Sequence, residues 1–161
     1  MMRRYRGSLV LVAICGLAGC GGARGALAAS HAAAMRDSVL RALGTYQRLA
    51  ASAKWDSVAA LYATSPGANW IEDGMRTDGE TVRKTLRSLG AMRVATTYSG
   101  VEVSPLAPGL ASLTTYFETR FVGTPVHFTG AISMLWSHEP EGWRIRSGHS
   151  SGPGGERRTS Q

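Results

Sequence analysis

The sequence predicts an α+β domain in which N-terminal helices pack on one face of a curved, mainly antiparallel sheet. Three observations carry that prediction. Over residues 35–62 and again over 82–89 the apolar residues recur at spacings of three and four, as one face of a helix requires. From Met92 onward they alternate with polar ones, as a strand with one buried face requires. The turn signals Gly123-Thr124-Pro125 and Glu139-Pro140-Glu141-Gly142 separate the alternating runs, so successive strands fold back on one another.

The elements follow in chain order. Met35, Val39, Leu43, Tyr46 and Ala50 place a long amphipathic helix over residues 32–53, with Asp37 and Arg41 spaced to pair on its outer side. Gly44 costs that helix about 1 kcal/mol relative to alanine, which points to a packing reason for it. Trp55, Val58, Leu61 and Tyr62 give the inner side of a shorter helix. A third helix is bounded at both ends. Thr77-Asp78-Gly79-Glu80 matches the Thr-x-x-Glu capping box, Val82, Leu86 and Leu89 form its stripe, and Gly90 sits where a left-handed cap belongs. Arg83, Lys84 and Arg87 are expected on its solvated side, favouring the helix C-terminus.

Strands account for the rest. Asn69-Trp70-Ile71-Glu72, Asp73-Gly74 and Met75-Arg76 read as a hairpin with a two-residue turn. Met92, Val94, Thr96 and Tyr98 alternate, and then the apolar phase flips to Val101 and Val103. A one-residue shift across Ser99-Gly100 is what a β-bulge produces, and it bends the sheet there. Residues 113–122 and 126–136 are long alternating strands, and the last strand runs from Trp143 to His149.

The chain begins differently. Arg3, Arg4 and Arg6 precede the apolar run Leu9-Val10-Leu11-Val12-Ala13-Ile14, and Ala18-Gly19 supply the small residues of a signal-peptidase site. The apolar run is about nine residues, against the ~20 that span a bilayer. Leu17-Ala18-Gly19-Cys20 resembles the lipobox of bacterial lipoproteins. That resemblance implies a leader over 1–19, Cys20 as a lipidated first mature residue, and attachment to a membrane of the cell envelope. Gly21, rather than Asp, after Cys20 leans towards an outer membrane, facing the periplasm, in a cell with two membranes. Residues 20–31 read as a flexible tether, 32–151 as the domain and 152–161 as a disordered tail.

Both cysteines, Cys15 and Cys20, fall in the leader region, so the domain has no disulfide, thiol nucleophile or thiolate metal site. Removing Arg3, Arg4 and Arg6 from the formal charge of +7 leaves +4. The remaining Lys and Arg are scattered with no binding motif among them, so no nucleic-acid partner is expected. The four histidines are far apart, and the chain shows no phosphate loop, serine elbow or nucleotide motif. Neither metal nor cofactor is expected.

The closing run Gly142-Trp143-Arg144-Ile145-Arg146-Ser147-Gly148-His149-Ser150-Ser151, after a short helix ending in Tyr62 and a turn with Gly79 leading to Val82, resembles the SnoaL-like branch of the nuclear transport factor 2-like superfamily. The resemblance spans roughly Met35 to Ser151. It implies a cone-shaped half-barrel with a pocket between the long helix and the concave sheet, commonly dimeric through the sheet. Relatives often carry Arg after the Gly of the penultimate strand, where this chain has Gly130-Ala131. The superfamily hosts isomerases, dehydratases, cyclases, binding proteins and assembly domains, so its shape does not settle function.

Candidate chemistry sits on the strands. His149, in phase with Trp143, Ile145 and Ser147, is either a general base in a pocket or a hydrogen-bonded structural histidine. Tyr116, Glu118 and Arg120 share one strand face, with His127 and Thr129 opposite on the next strand. In an apolar cone a Glu–His pair suits acid–base work; on a solvated or subunit-facing surface the same residues form a charge network. Phe117 and Phe121 occupy the other face. Burying each is worth ~1.5–3 kcal/mol, so the polar set is expected to point outward. Tyr62, Trp70, Tyr98, Phe128 and Trp136 are expected to line the pocket or fill the core.

The function expected from these readings is a lipid-anchored envelope protein whose domain binds a small apolar ligand or serves as an interaction module. The alternative is an isomerase- or dehydratase-type enzyme acting on a small carbonyl or polyketide-like substrate. Its base is then Glu118, His127 or His149, with Tyr116 or Tyr98 as hydrogen-bond donor. A third class is a homo-oligomerising domain with a filled cone.

Overall fold

Residues 21–64 and 68–152 are described by a computed structural model of the chain. The leader, Cys20 and the tail beyond Gly152 lie outside the described residues. Three helices, α1 (Gly21–Ala51), α2 (Trp55–Ala59) and α3 (Gly79–Ser88), accompany six strands. The strands are β1 (Asn69–Glu72), β2 (Met75–Asp78), β3 (Val94–Ala107), β4 (Leu110–Phe121), β5 (His127–Glu139) and β6 (Gly142–Ser151). They form one sheet in the order β2-β1-β6-β5-β4-β3, antiparallel throughout except for the β1–β6 pair. The predicted α+β architecture is therefore the observed one, an open curved sheet with helices against one face.

Helix α1 begins earlier than its apolar stripe. The segment from Gly21 that reads as a flexible tether is helical. Its alanines are the best helix formers, and they outweigh the glycines among them. Along the folded part, Met35, Val39, Leu43 and Ala50 are buried at the predicted spacing. Asp37 and Arg41 are not joined; the ion pairs among the described residues are Glu80–Arg83, Asp56–Arg87, Glu118–Arg120 and Glu139–Arg146.

Helix α3 departs from expectation in two places. Its cap is Asp78, one residue later than the capping box placed it: Thr81 donates from both its backbone N–H (2.9 Å) and its hydroxyl (3.0 Å) to the Asp78 carboxylate. Those bonds hold the Asp78 carboxyl below its usual range. Arg83 is not on a solvated face. It is buried, donating from Nη1 to the carbonyl of Ala63 at 2.7 Å while its Nη2 pairs with Glu80. Its guanidinium thus ties α3 to the segment after α2. Lys84 and Arg87 remain exposed, and Gly90 is left-handed (φ 58°) as the stop signal requires.

Two bulges set which side chains face the helices. Both Asp73 (φ 46°) and Gly74 (φ 83°) are left-handed, which completes the β1–β2 hairpin turn. In β3 the register passes from Ser99↔Tyr116 to Glu102↔Thr114, with Gly100 at φ 61°, so the phase flip read from the sequence is a real bulge. Another bulge, without a sign in the sequence pattern, interrupts β6. Trp136 faces Ile145 but Leu135 faces Ser147, one residue further than simple pairing allows. Trp143 and Ile145 are buried before it; after it Ser150 is buried and His149 is exposed.

The main core lies between α1 and the middle of the sheet, where Met35, Val39 and Leu43 meet Leu113, Met134, Trp136 and Ile145. A smaller cluster of Ala50, Trp55, Val58 and Val94 closes the end where α1 and α2 meet. The free edge of β3 is covered by α1: Arg36 donates to the Val103 carbonyl (3.1 Å) and Gln47 to that of Thr96 (3.0 Å). A sheet edge left with unpaired carbonyls is a template for association, and these bonds occupy two of them.

Candidate functional site

The concave side of the sheet presents Leu113, Thr115 and Phe117 from β4, Ile132, Met134 and Trp136 from β5, and Trp143 and Ile145 from β6. Four of the five residues expected to line a pocket, Tyr62, Trp70, Tyr98 and Trp136, gather in this interior. Phe128 does not; it is 47 % exposed near the β4–β5 turn, with its ring edge-on to Phe121.

The gathered rings pack against one another. Tyr62 and Trp70 meet edge to face with centroids 5.9 Å apart. The Trp70 indole occupies the room that a side chain at Gly148 would need, and Phe117 lies across Gly130 in the same way. Tyr46, which the sequence marks only as one position of a helical stripe, brings its hydroxyl into this interior and hydrogen-bonds Tyr62. Burial raises the phenols of Tyr46, Tyr62 and Tyr98 above their ordinary range, and for Tyr62 the bond to Tyr46 adds to the rise. All three are therefore neutral hydroxyls at physiological pH.

Two indole N–H groups differ here. Trp143 Nε1 donates to the Ser38 hydroxyl at 2.8 Å, joining β6 to α1. Trp136 Nε1 is buried without a partner. It is the one polar side-chain atom of this kind among the described residues. A buried donor left unpaired costs about 1–3 kcal/mol.

The tentative acid–base set lies on the opposite face. Tyr116 is 66 % exposed, and Glu118 forms an ion pair with Arg120, whose Nε donates to Glu118 Oε1 at 2.8 Å. His127 pairs across the strands with Arg120 and is exposed. His149 is exposed beyond the β6 bulge, which turns it away from the Trp143–Ile145 side. Tyr116, Glu118, His127 and His149 therefore do not converge in the cone, and the phase argument that sent the phenylalanines inward holds. The outer face carries an open hollow of about 210 Å³ lined by Ala95, Thr97, Glu118 and Arg120. Among the described residues no three His, Cys, Asp or Glu side chains stand close enough to hold a metal ion.

No protein-family profile and no curated protein matches the chain. Solved structures do. An NTF-2-like protein of unknown function from Shewanella oneidensis is 15 % identical over 72 % of this chain and 98 % of its own, with a TM-score of 0.61. An NTF2-like protein with a cystatin-like fold from Novosphingobium aromaticivorans is 14 % identical over 88 % of this chain and 95 % of its own, with a TM-score of 0.60. The association domain of CaMKII from C. elegans is 17 % identical over 73 % of this chain and 95 % of its own, with a TM-score of 0.61.

The fold is NTF2-like.

Within the NTF2-like fold of this chain, aromatic rings crowd the concave side and an open hollow lies on the convex side. Residues that decide this escaped the sequence reading. Gly148 and Gly130 matter because aromatic rings lie where their side chains would be, and no local pattern separates such glycines from turn glycines. Ser38 was hidden among the outer positions of α1, although its place next to the buried Val39 put it at the edge of the apolar stripe.

Proposed function

We propose that this is a lipid-anchored protein of the cell envelope whose NTF2-like domain is an interaction module that pairs with a second copy through the outer sheet face. The aromatic crowding of the interior carries the reading. Where a binding or catalytic NTF2-like domain needs space between helix and sheet, this chain places Tyr62, Trp70, Tyr98 and Trp136 in contact with the α1 residues Met35, Val39 and Leu43.

The outer face has what self-association needs. It is broad, it displays Tyr116, and it carries both signs of charge in Glu118 and Arg120. A two-fold interface opposes one patch with itself, so a patch bearing both signs can be self-complementary. The similarity to the CaMKII association domain from C. elegans agrees in kind. A Streptomyces avermitilis structure provisionally named a dehydratase of the NTF2-like family, 16 % identical with a TM-score of 0.64, represents the enzymatic alternative. Its counterpart here would need an acid–base group in the interior, where Tyr46, Tyr62 and Tyr98 are neutral hydroxyls beside the buried Thr115 hydroxyl and the unpaired Trp136 Nε1. That unpaired donor favours a second reading, a small apolar ligand with one acceptor oxygen displacing part of the aromatic filling.

Light scattering on the chain from Gly21 tests the first reading. A dimer at micromolar concentration that Tyr116→Asp converts to a folded monomer is the expected result. A monomer at every concentration, with a small molecule released on denaturation, overturns it in favour of the ligand reading. The intact mass of the membrane-extracted protein tests the anchor: it should begin at a diacylated or triacylated Cys20, and a chain still starting at Met1 removes it.

A further inference from the structure

The end of the molecule around the β4–β5 turn concentrates exposed apolar side chains. Met92 (42 %), Val122 (49 %), Val126 (44 %) and Phe128 (47 %) are half the large apolar residues that the described part of the chain leaves exposed. Backbone bonds hold them together: Val122 N–H donates to the Arg93 carbonyl (2.9 Å) and Phe121 N–H to that of Val126 (3.1 Å). Gly123, at φ 85° between the two valines, has open space where a Cβ would point.

The charges beside this cluster are of one dominant sign. Arg87 is offset by Asp56 and Arg120 by Glu118. Lys54 and Arg93 are exposed, and no carboxylate pairs with either among the described residues. Arg93 is held at this end by a bond from its Nε to the Ala51 carbonyl (3.0 Å). Trp55 fixes the neighbouring residue, donating from Nε1 to the Met92 carbonyl at 2.8 Å.

A turn with valines on both shoulders, backed by unpaired cations, matches the chemistry of a bilayer interface. Apolar side chains enter the acyl boundary while cations stay among phosphates. We infer that the β4–β5 turn, with Met92, Val122, Val126 and Phe128, Lys54 and Arg93, is a docking surface for a membrane carrying anionic lipid. The charge complementarity selects that occupant over an uncharged apolar partner. This contact is separate from the proposed lipid on Cys20. Arg36 reaches Val103 and Gln47 reaches Thr96, so α1 starts at the other end of β3 and finishes near this turn. With both points engaged, the domain lies along the bilayer.

The chain from Gly21, which contains every described element and lacks Cys20, provides the test. It is sedimented with vesicles of phosphatidylcholine alone and of phosphatidylcholine mixed with phosphatidylglycerol. Binding about tenfold stronger to the anionic vesicles is expected, falling as salt is raised. The double variant Val122→Ser/Val126→Ser alters only exposed side chains and should keep the parent thermal midpoint while losing vesicle binding. The double variant Lys54→Glu/Arg93→Glu should lose the preference for anionic vesicles. Equal binding to both vesicle types, no binding to either, or unchanged binding by the valine variant overturns the inference. A valine variant that dissociates a dimer without altering vesicle binding shows instead that a second copy covers this end. Tyr116→Asp leaves vesicle binding intact whether or not the dimer exists, so the two proposals fail separately.

Discussion

The indole of Trp70 takes the place of a side chain at Gly148: a Cβ built there would lie 2.6 Å from Cη2 and 2.7 Å from Cε3 of the ring. The two residues face each other across the parallel β1–β6 pair. The short N-terminal hairpin is therefore joined to the main sheet by backbone bonds and by a ring seated on a missing side chain.

Gly148→Ala should accordingly displace Trp70 rather than be absorbed locally, because an indole is rigid and half-buried here. Overpacking of this kind costs about 1–3 kcal/mol. Chemical unfolding checks it. Replacing Trp70 with Leu in the same chain should recover part of the loss, and a loss that simply adds to that of Trp70→Leu alone means the contact is not the cause.

The two buried tryptophans on β5 and β6 should respond differently to the same change. Trp143→Phe removes the donor that reaches Ser38. Trp136→Phe removes a donor that has no partner. Both lose the same ring volume, so the Trp143 variant should be the less stable by about 1 kcal/mol. Urea midpoints of the two variants measure the difference, and equal midpoints contradict it.

Alkali should unfold the domain through its interior phenols. Their native values lie above the ordinary 10.0, so the unfolded chain releases their protons first. The resulting stability is fully present below pH 10.0 and is lost as pH rises towards the native values. Tyrosinate absorbance from Tyr46, Tyr62 and Tyr98 should appear together with the loss of helix. Tyr98→Phe should make the alkaline side of the stability profile less steep. A gradual tyrosinate signal from all three in a still-folded protein speaks against their burial.

The sequence was legible wherever a single element determines its own pattern. The alternation around Ser99-Gly100 revealed the β3 bulge because an apolar residue is absent from one phase and present in the next. The β6 bulge gave no such sign: Trp143, Ile145, Ser147 and His149 alternate without interruption, and only the pairing of Leu135 with Ser147 exposes the shift. His149 consequently lies on the face opposite Trp143 and Ile145, although it alternates in phase with them. Arg83 departs from its expected solvated face for a related reason, since its burial depends on the Ala63 carbonyl, twenty residues away and invisible to helical periodicity. The outward turn of Glu118 was legible because Phe117 and Phe121 compete for the same strand. Whether the rings inside the cone leave a pocket depends on packing between elements, which no local pattern encodes.

The bonds from α1 to β3 also have a mechanical meaning. As the helix advances from Arg36 to Gln47, its partners on the strand run backward from Val103 to Thr96. A pull along the helix axis at the head of α1 therefore loads both attachments in shear at once instead of opening them one after the other. A domain held from that end resists being drawn from its N-terminus far better than from the short β1–β2 hairpin, where a load would peel the strands apart bond by bond.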